Sequence, residues 1–267
     1  MKKLIISIVM IFLTVVLSGE WVNATPMIDQ QQPVIVNTVG GVAIGGTYEE
    51  KLAQVVTSGI SGVLTEVRFP VACSSGDLVV EIQGVNAEGQ PNGVVLTSQT
   101  IPGTSLPSFF PEVASFRSLP LSAPVSFSAG DRFAIVLSSA GECGVFQGPI
   151  GDSYSEGNAY FDARPNQKGV WVCICNFAGE RFDLPFQTIV APFIQVSISP
   201  TSHDFGSVII GNTSAPQTFT ILNTGIEDFS IGTITLTDTT PSEFYILNDN
   251  CSGQTWTDTD FISKLHY

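Results

Sequence analysis

SISPTSHDFGSVIIGNTSAPQTFTILNTG, Ser197 to Gly225, carries the plainest pattern in the chain: short apolar runs, each closed by turn residues. Ile209 and Ile210 run into Gly211-Asn212-Thr213-Ser214. Phe219 and Ile221 alternate with Thr218 and Thr220, and Asn223-Thr224-Gly225 ends the run. Alternation bounded by such clusters predicts antiparallel, half-buried strands. The stretch defines a kind of module and points to no reaction.

Working outward, Met1 to Ala24 has the make-up of an export signal. Lys2 and Lys3 open it, Leu4 to Leu17 is apolar-dominated, and Val22-Asn23-Ala24 offers small residues to a signal peptidase. The apolar part, about 14 residues, falls short of the ~20 that span a bilayer as a helix, which argues against an uncleaved anchor. Leu17-Ser18-Gly19 is followed by Glu20 rather than cysteine, so nothing there can be acylated. The expected mature chain starts at Thr25.

The chain has 267 residues with 24 acidic and 10 basic side chains, a formal net charge of −14. Removing the signal leaves about −15. No Lys or Arg occurs between Phe182 and Phe261. Such a surface repels phosphate backbones and anionic lipid heads, so nucleic acid is excluded as a partner and no membrane insertion is expected after signal cleavage. The expected location is secreted, periplasmic or at the cell surface.

Export also makes disulfides permissible for the five cysteines. Cys73, Cys143, Cys173 and Cys175 fall in the first part, and four cysteines allow three pairings. Cys173 and Cys175, two apart in a strand-like run, share a face and are expected to pair with Cys73 and Cys143 rather than with each other. A four-thiolate zinc site is the alternative, disfavoured because no zinc-ribbon spacing is present.

Along the chain, residues 25–32 read as a loose polar leader. Val63–Phe69 and Leu78–Ile82 alternate cleanly, and further strands are expected at Val94–Thr97, Phe116–Leu121, Val125–Phe127, Arg132–Leu137 and Phe182–Val190. Gly40–Gly46 reads as a loop, and only Tyr48–Val56 admits a helical turn. Many short strands with Gly/Pro turns predict an all-β fold, with a jelly-roll-like β-sandwich over 25–193 followed by a second module over 194–267.

The succession GDLVVEIQGVNAEGQPNGVVLTSQTIP, SAPVSFSAGDRFAIVLSS, GNAYFDARP and DLPFQT resembles the choice-of-anchor R-type extracellular module over roughly Ile44 to Val190. That resemblance implies a β-sandwich for display or binding and carries over no active site. Past Pro192, the opening stretch together with FSIGTITLT and EFYILNDNCSG resembles the Hydin-type immunoglobulin-like repeat, also called ASH-like or choice-of-anchor D, over about 198–254. In that reading Phe205 plugs one end of a sandwich. The family pattern continues past Cys251 to a Pro-Gly turn, a second cysteine and two strands. Here WTDTDFISKLHY follows instead. The resemblance therefore implies an incomplete immunoglobulin-like sandwich, truncated or frameshifted after about 255, with open strand edges. It also implies that Cys251 stays a thiol, its family partner being absent.

Catalytic signatures are sparse. His203 sits beside the Phe205 turn and His266 in the tail, neither in a nucleophile context, and no metalloprotease, phosphate-loop or dinucleotide motif occurs. A carboxylate pair for glycoside hydrolysis has nothing to single it out. The region 147–171 is the candidate binding site. Tyr154, Tyr160 and Trp171 would offer flat faces to sugars, and Asp152, Asn158 and Asp162 would bond hydroxyls or hold Ca²⁺. The competing reading is that these aromatics pack into the sandwich. Asn212-Thr213-Ser214 fits the N-glycosylation pattern, which matters only in a eukaryotic secretory host. The expected role is non-catalytic: adhesion, display or scaffolding against a protein or glycan at a cell surface. A carbohydrate-binding module, with calcium as an optional ligand, is the alternative.

Overall fold

The computed structural model describes residues 25–36, 41–108, 114–162, 169–174, 182–194, 196–209, 211–225, 228–234, 244–256 and 263–266. The proposed signal over 1–24, Cys175 and most of the tail after Trp256 lie outside them. The fold is an all-β sandwich of antiparallel sheets, and it divides into two compact units, Thr25–Pro192 and Phe193–Tyr267.

In the first unit, β1 (Met27–Gln32), β13 (Phe186–Pro192), β4 (Gly62–Phe69) and β8 (Arg117–Phe127) form one sheet in that order. A second sheet runs β12 (Trp171–Cys173), β11 (Ala159–Asp162), β3 (Leu52–Thr57), β9 (Arg132–Ser139), β6 (Leu78–Val85) and β7 (Pro91–Ile101). A smaller sheet joins β2 (Gly41–Gly45), β10 (Glu142–Phe146) and β5 (Val71–Ser75). One core joins all three. Leu64, Phe69, Leu119 and Phe186 come from the first sheet, Leu52, Val80, Phe133 and Ile135 from the second, and Ile44 and Val145 from the third. Phe127 and Phe133 stack with centroids 4.3 Å apart.

The long sheet is also buried on its outer face. Ala53, Val55, Ala134 and Val136 lie beneath Tyr160, with Trp171 and Cys173 packed against them. That explains why β3 and β9 read as continuous apolar runs rather than alternating ones, since a strand covered on both sides has no polar face.

Several expectations are corrected. The leader is not loose: β1 pairs with β13 in register Gln31↔Gln187 and Gln32↔Phe186. Its Asp29 carboxylate accepts the N–H groups of Gly59 at 3.0 Å and Ile60 at 3.0 Å. A glutamine-rich strand is tolerated because it lies at the sheet edge with one side in water. Gly41–Gly45 is a strand, not a loop. Gly45 adopts φ 79°, and a Cβ there would lie 2.1 Å from Gly141 O, so the approach of the two chains requires glycine.

Where a helical turn was arguable, a single 3-10 turn at Gly46–Tyr48 ends on Glu49 at φ 51°, and β3 follows. The two strands expected over 116–127 are one, β8. A register shift opposite Leu64/Glu66 absorbs its irregularity, and Pro120 and Pro124 are accepted because β8 is an edge strand.

In the second unit, β14 (Val196–Ser199), β15 (Thr218–Asn223), β19 (Ser263–His266) and β17 (Asn248–Asp249) form a sheet. β16 (Phe229–Ser230) pairs with β18 (Thr255–Trp256). Phe219 and Ile221 point inward with Ile231 and Cys251, and Phe205 packs on this cluster. In the middle run of the opening stretch Ile209 is outside any strand and 77% exposed, and Asn212 N–H closes a turn onto Ile209 O at 2.9 Å. β15 is an inner strand, and β14 and β17 are the edges of this sheet. The tail segment Ser263–His266 pairs along β15 opposite β14, matching Phe219 with Leu265.

Candidate functional site

The backbone over 147–158 makes no strand beyond a bridge from Ile150 to Phe182, yet it is tied down closely. At its start Gly148 passes so near Asp183 that a Cβ would meet the Asp183 carbonyl oxygen at 2.3 Å. At its end Gly157 lies against Val55, where a Cβ would fall 1.9 Å from the carbonyl oxygen. Between them, Ser153 and Tyr154 donate their N–H groups to Asp183 Oδ2 at 3.1 and 3.0 Å.

The candidate residues are not gathered on one face. Tyr154 is in the main core, its ring edge-on to Phe186 at 5.0 Å. Its hydroxyl donates to Gln30 Oε1 at 3.1 Å and accepts Thr57 N–H at 3.3 Å. Burial pushes this phenol up to about 12, against the hydrogen bond from Thr57 and with the nearby acids Asp29, Glu156 and Asp183 adding to the rise.

Tyr160 lies on the opposite side of the long sheet, buried over Ala53 and Val136. Trp171 is half-buried there, and its carbonyl accepts Gln90 Nε2 at 3.4 Å. Neither tyrosine ring presents a face to solvent. Asn158 uses its carbonyl to pair with Val55 N–H at 2.9 Å. Asp162 is 1% exposed and accepts Gly169 N–H at 3.1 Å, while Asp152 is exposed. Burial, reinforced by Asp162, raises the Glu50 carboxyl above its ordinary value.

Calcium needs several oxygens converging at one point. Among the described residues no three of His, Cys, Asp and Glu gather closely enough to hold a metal ion.

The cysteine expectation is corrected. Cys73 bonds Cys143, because β5 and β10 set them opposite each other with Cα atoms 4.0 Å apart. Cys173 is also disulfide-bonded, and Cys175 lies outside the described residues. Cys251 is a fully buried thiol in the second unit.

Sequence reasoning missed Gln54 and Asp183, which organise this region. Gln54 is 0% exposed; its Nε2 donates to Asp183 Oδ1 at 3.3 Å and its Oε1 accepts Leu184 N–H at 2.9 Å. The available signal was a lone glutamine inside the apolar run LAQVV, since a polar side chain there must find a buried partner.

No protein-family model matches the chain, and comparison with curated proteins finds no match.

Proposed function

We propose that this chain is an exported, non-catalytic β protein acting in adhesion, display or scaffolding at a cell surface or in an extracellular assembly. Protein or glycan would be its partner. The observation that carries this reading is the Cys73–Cys143 disulfide inside an all-β sandwich. Such bonds persist where the compartment is oxidising, and they suit a chain that opens with an export-like segment. Supporting it, Tyr154, Tyr160 and Asp162 are engaged in packing and backbone bonds. No helix among the described residues is long and apolar enough to cross a membrane. The likeness to choice-of-anchor R and Hydin-type modules belongs to the same proposal.

Expression with the native N-terminus, followed by fractionation and N-terminal sequencing, tests export: the product should leave the cytoplasm and begin at Thr25. A glycan array with and without EDTA tests the partner. Chelation-sensitive sugar binding would replace the scaffolding reading with that of a calcium-dependent lectin.

A further inference from the structure

Bond counting among the five cysteines isolates one pair. Cys73 bonds Cys143, Cys251 is a thiol and Cys173 is disulfide-bonded, so within this chain the partner of Cys173 is Cys175. The two bonds have little in common. Cys73 and Cys143 are 6% and 4% exposed inside the main core, and their bond spans a sequence separation of 70. Cys173 is only partly buried. It ends β12, the strand at the margin of the six-stranded sheet, and packs against the outer cluster of Ala53, Val136 and Tyr160. Its bond closes a loop of three residues, Cys173-Ile174-Cys175.

The local ladder fits that closure. β12 pairs with β11 as Asp162↔Trp171, Phe161↔Val172 and Tyr160↔Cys173. One more step would set Ala159 against Ile174, and β11 does include Ala159, yet β12 stops at Cys173. In an extended strand, residues two apart have Cα atoms about 6.6–6.8 Å apart. That is the outer limit of what a disulfide spans, about 5.5–6 Å being usual. Bonding the two cysteines therefore draws the chain out of the strand at Ile174.

We propose that the Cys173–Cys175 disulfide is a thiol-exchange site whose ligand is a thiolate from outside the chain. The incoming thiolate attacks Cys173 Sγ. A new S–S bond forms there as the Cys173–Cys175 bond breaks, and Cys175 leaves as a thiolate that takes up a proton. One disulfide replaces another, so no further oxidant is consumed. Exchange needs access to the sulfur, which the partial exposure of Cys173 at a sheet margin supplies. It also needs a bond that yields readily. Closing a short loop restricts the unfolded chain least, so on chain-entropy grounds a bond over three residues is held roughly a hundredfold less firmly than the one spanning 70. The product is a mixed disulfide that tethers the first unit covalently to its partner.

The oxidised full chain, equilibrated with glutathione buffers of increasing reducing strength, then acid-quenched, alkylated and mapped by peptide mass spectrometry, tests the site. Before treatment Cys173 and Cys175 should be linked to each other. In the buffers a glutathione adduct should form on Cys173, and the pair should open at a poise roughly a hundredfold less reducing than Cys73–Cys143 requires. Amide protection at Ala134–Val136 in β9 should stay unchanged meanwhile, showing that exchange occurs in the folded protein. In Cys175→Ser the freed Cys173 thiol should be capped by oxidised glutathione, and the wild-type titration stands on its own should that variant not fold. A peptide carrying one cysteine, set beside glutathione at equal concentration, assigns the source: faster capture of the peptide means a polypeptide thiol, and faster capture of glutathione a small one, either upholding the site. A link from Cys173 to any other cysteine overturns the proposal. So does the lack of an adduct on Cys173, or a pair that opens only together with Cys73–Cys143 or only once β9 loses protection.

Discussion

The two units solve the same problem, closing a β-sandwich, with different means. Thr25–Pro192 closes around one continuous core fed by three sheets, pinned by the Cys73–Cys143 bond and a buried carboxylate. From Phe193 onward, only Phe219, Ile221, Ile231 and Cys251 are buried apolar side chains among the described residues, and the strands run two to six residues. There the turns are held by local polar bonds. Asp249 accepts the N–H groups of Cys251 at 2.9 Å and Ser252 at 2.8 Å, and Ser252 Oγ accepts Ile234 N–H at 2.7 Å. Full burial of one large apolar side chain stabilises by about 1.5–3 kcal/mol, so among the described residues these caps stand beside few buried side chains in the second unit. The lesson is that the first unit should be sensitive to volume and the second to hydrogen bonding.

The largest effect should come from Phe186→Ala. This ring is fully buried between Phe69 at 6.3 Å and Tyr154 at 5.0 Å, and truncation should cost about 3–5 kcal/mol. Amide exchange in denaturant should show the loss at Ala134–Val136, while protection at Phe219–Ile221 stays in place. Equal shifts in both would mean the units do not unfold separately.

Replacing Cys73 and Cys143 together by serine opens a loop of sequence separation 70 and should cost roughly 4 kcal/mol, again confined to the first unit. A smaller effect is expected in alkali. Tyr154 is raised to about 12 from an ordinary 10.0, so its contribution is complete below about pH 10 and lost as pH rises toward about 12. Allowing for partial solvation, that loss is roughly 1–2 kcal/mol. Tyr154→Phe should remove this alkaline step from the unfolding profile, and a step that survives would reassign it.

The sandwich class was legible because alternation survives wherever a strand has one wet face, as in Val63–Phe69 and Thr218–Asn223. It failed where other forces set the conformation. Met27–Gln32 shows no apolar pattern, yet it is a strand because Asp29 and the β13 ladder hold it. Ile209 looks like core and is solvent-exposed, since the turn closed by Asn212 takes precedence over its side chain. At the candidate site Tyr154 and Tyr160 are packing residues on opposite faces of the long sheet. Which face each one takes depends on strand parity across β3, β11 and the segment 147–158, and a single chain read in order does not reveal that. Asp183 was invisible for a related reason. Its partners Gln54, Ser153 and Tyr154 are far from it in sequence, and only folding brings them together.

The smallest effect carries the comparison furthest, because it sets the two units against each other in acid. Burial acts to raise the Asp249 carboxyl, but the Ser252 hydroxyl and the N–H groups of Ser252 and Cys251 together outweigh it and hold the group below its ordinary 3.8. A lowered group contributes stability that is complete above its ordinary value and disappears as pH falls through the lowered one. Asp183 and Glu50 in the first unit are shifted the other way, so acidification should firm that unit before it weakens the second. Asp249→Ala should cost the second unit about 1 kcal/mol at neutral pH and nothing below the point where the wild-type carboxylate is protonated. Exchange protection at the Cys251 and Ser252 amides, set beside that at Ser153 and Tyr154 over one pH series, should diverge in opposite directions. If the two pairs move together, the units share one electrostatic response, and the division between a burial-driven and a cap-driven sandwich does not hold.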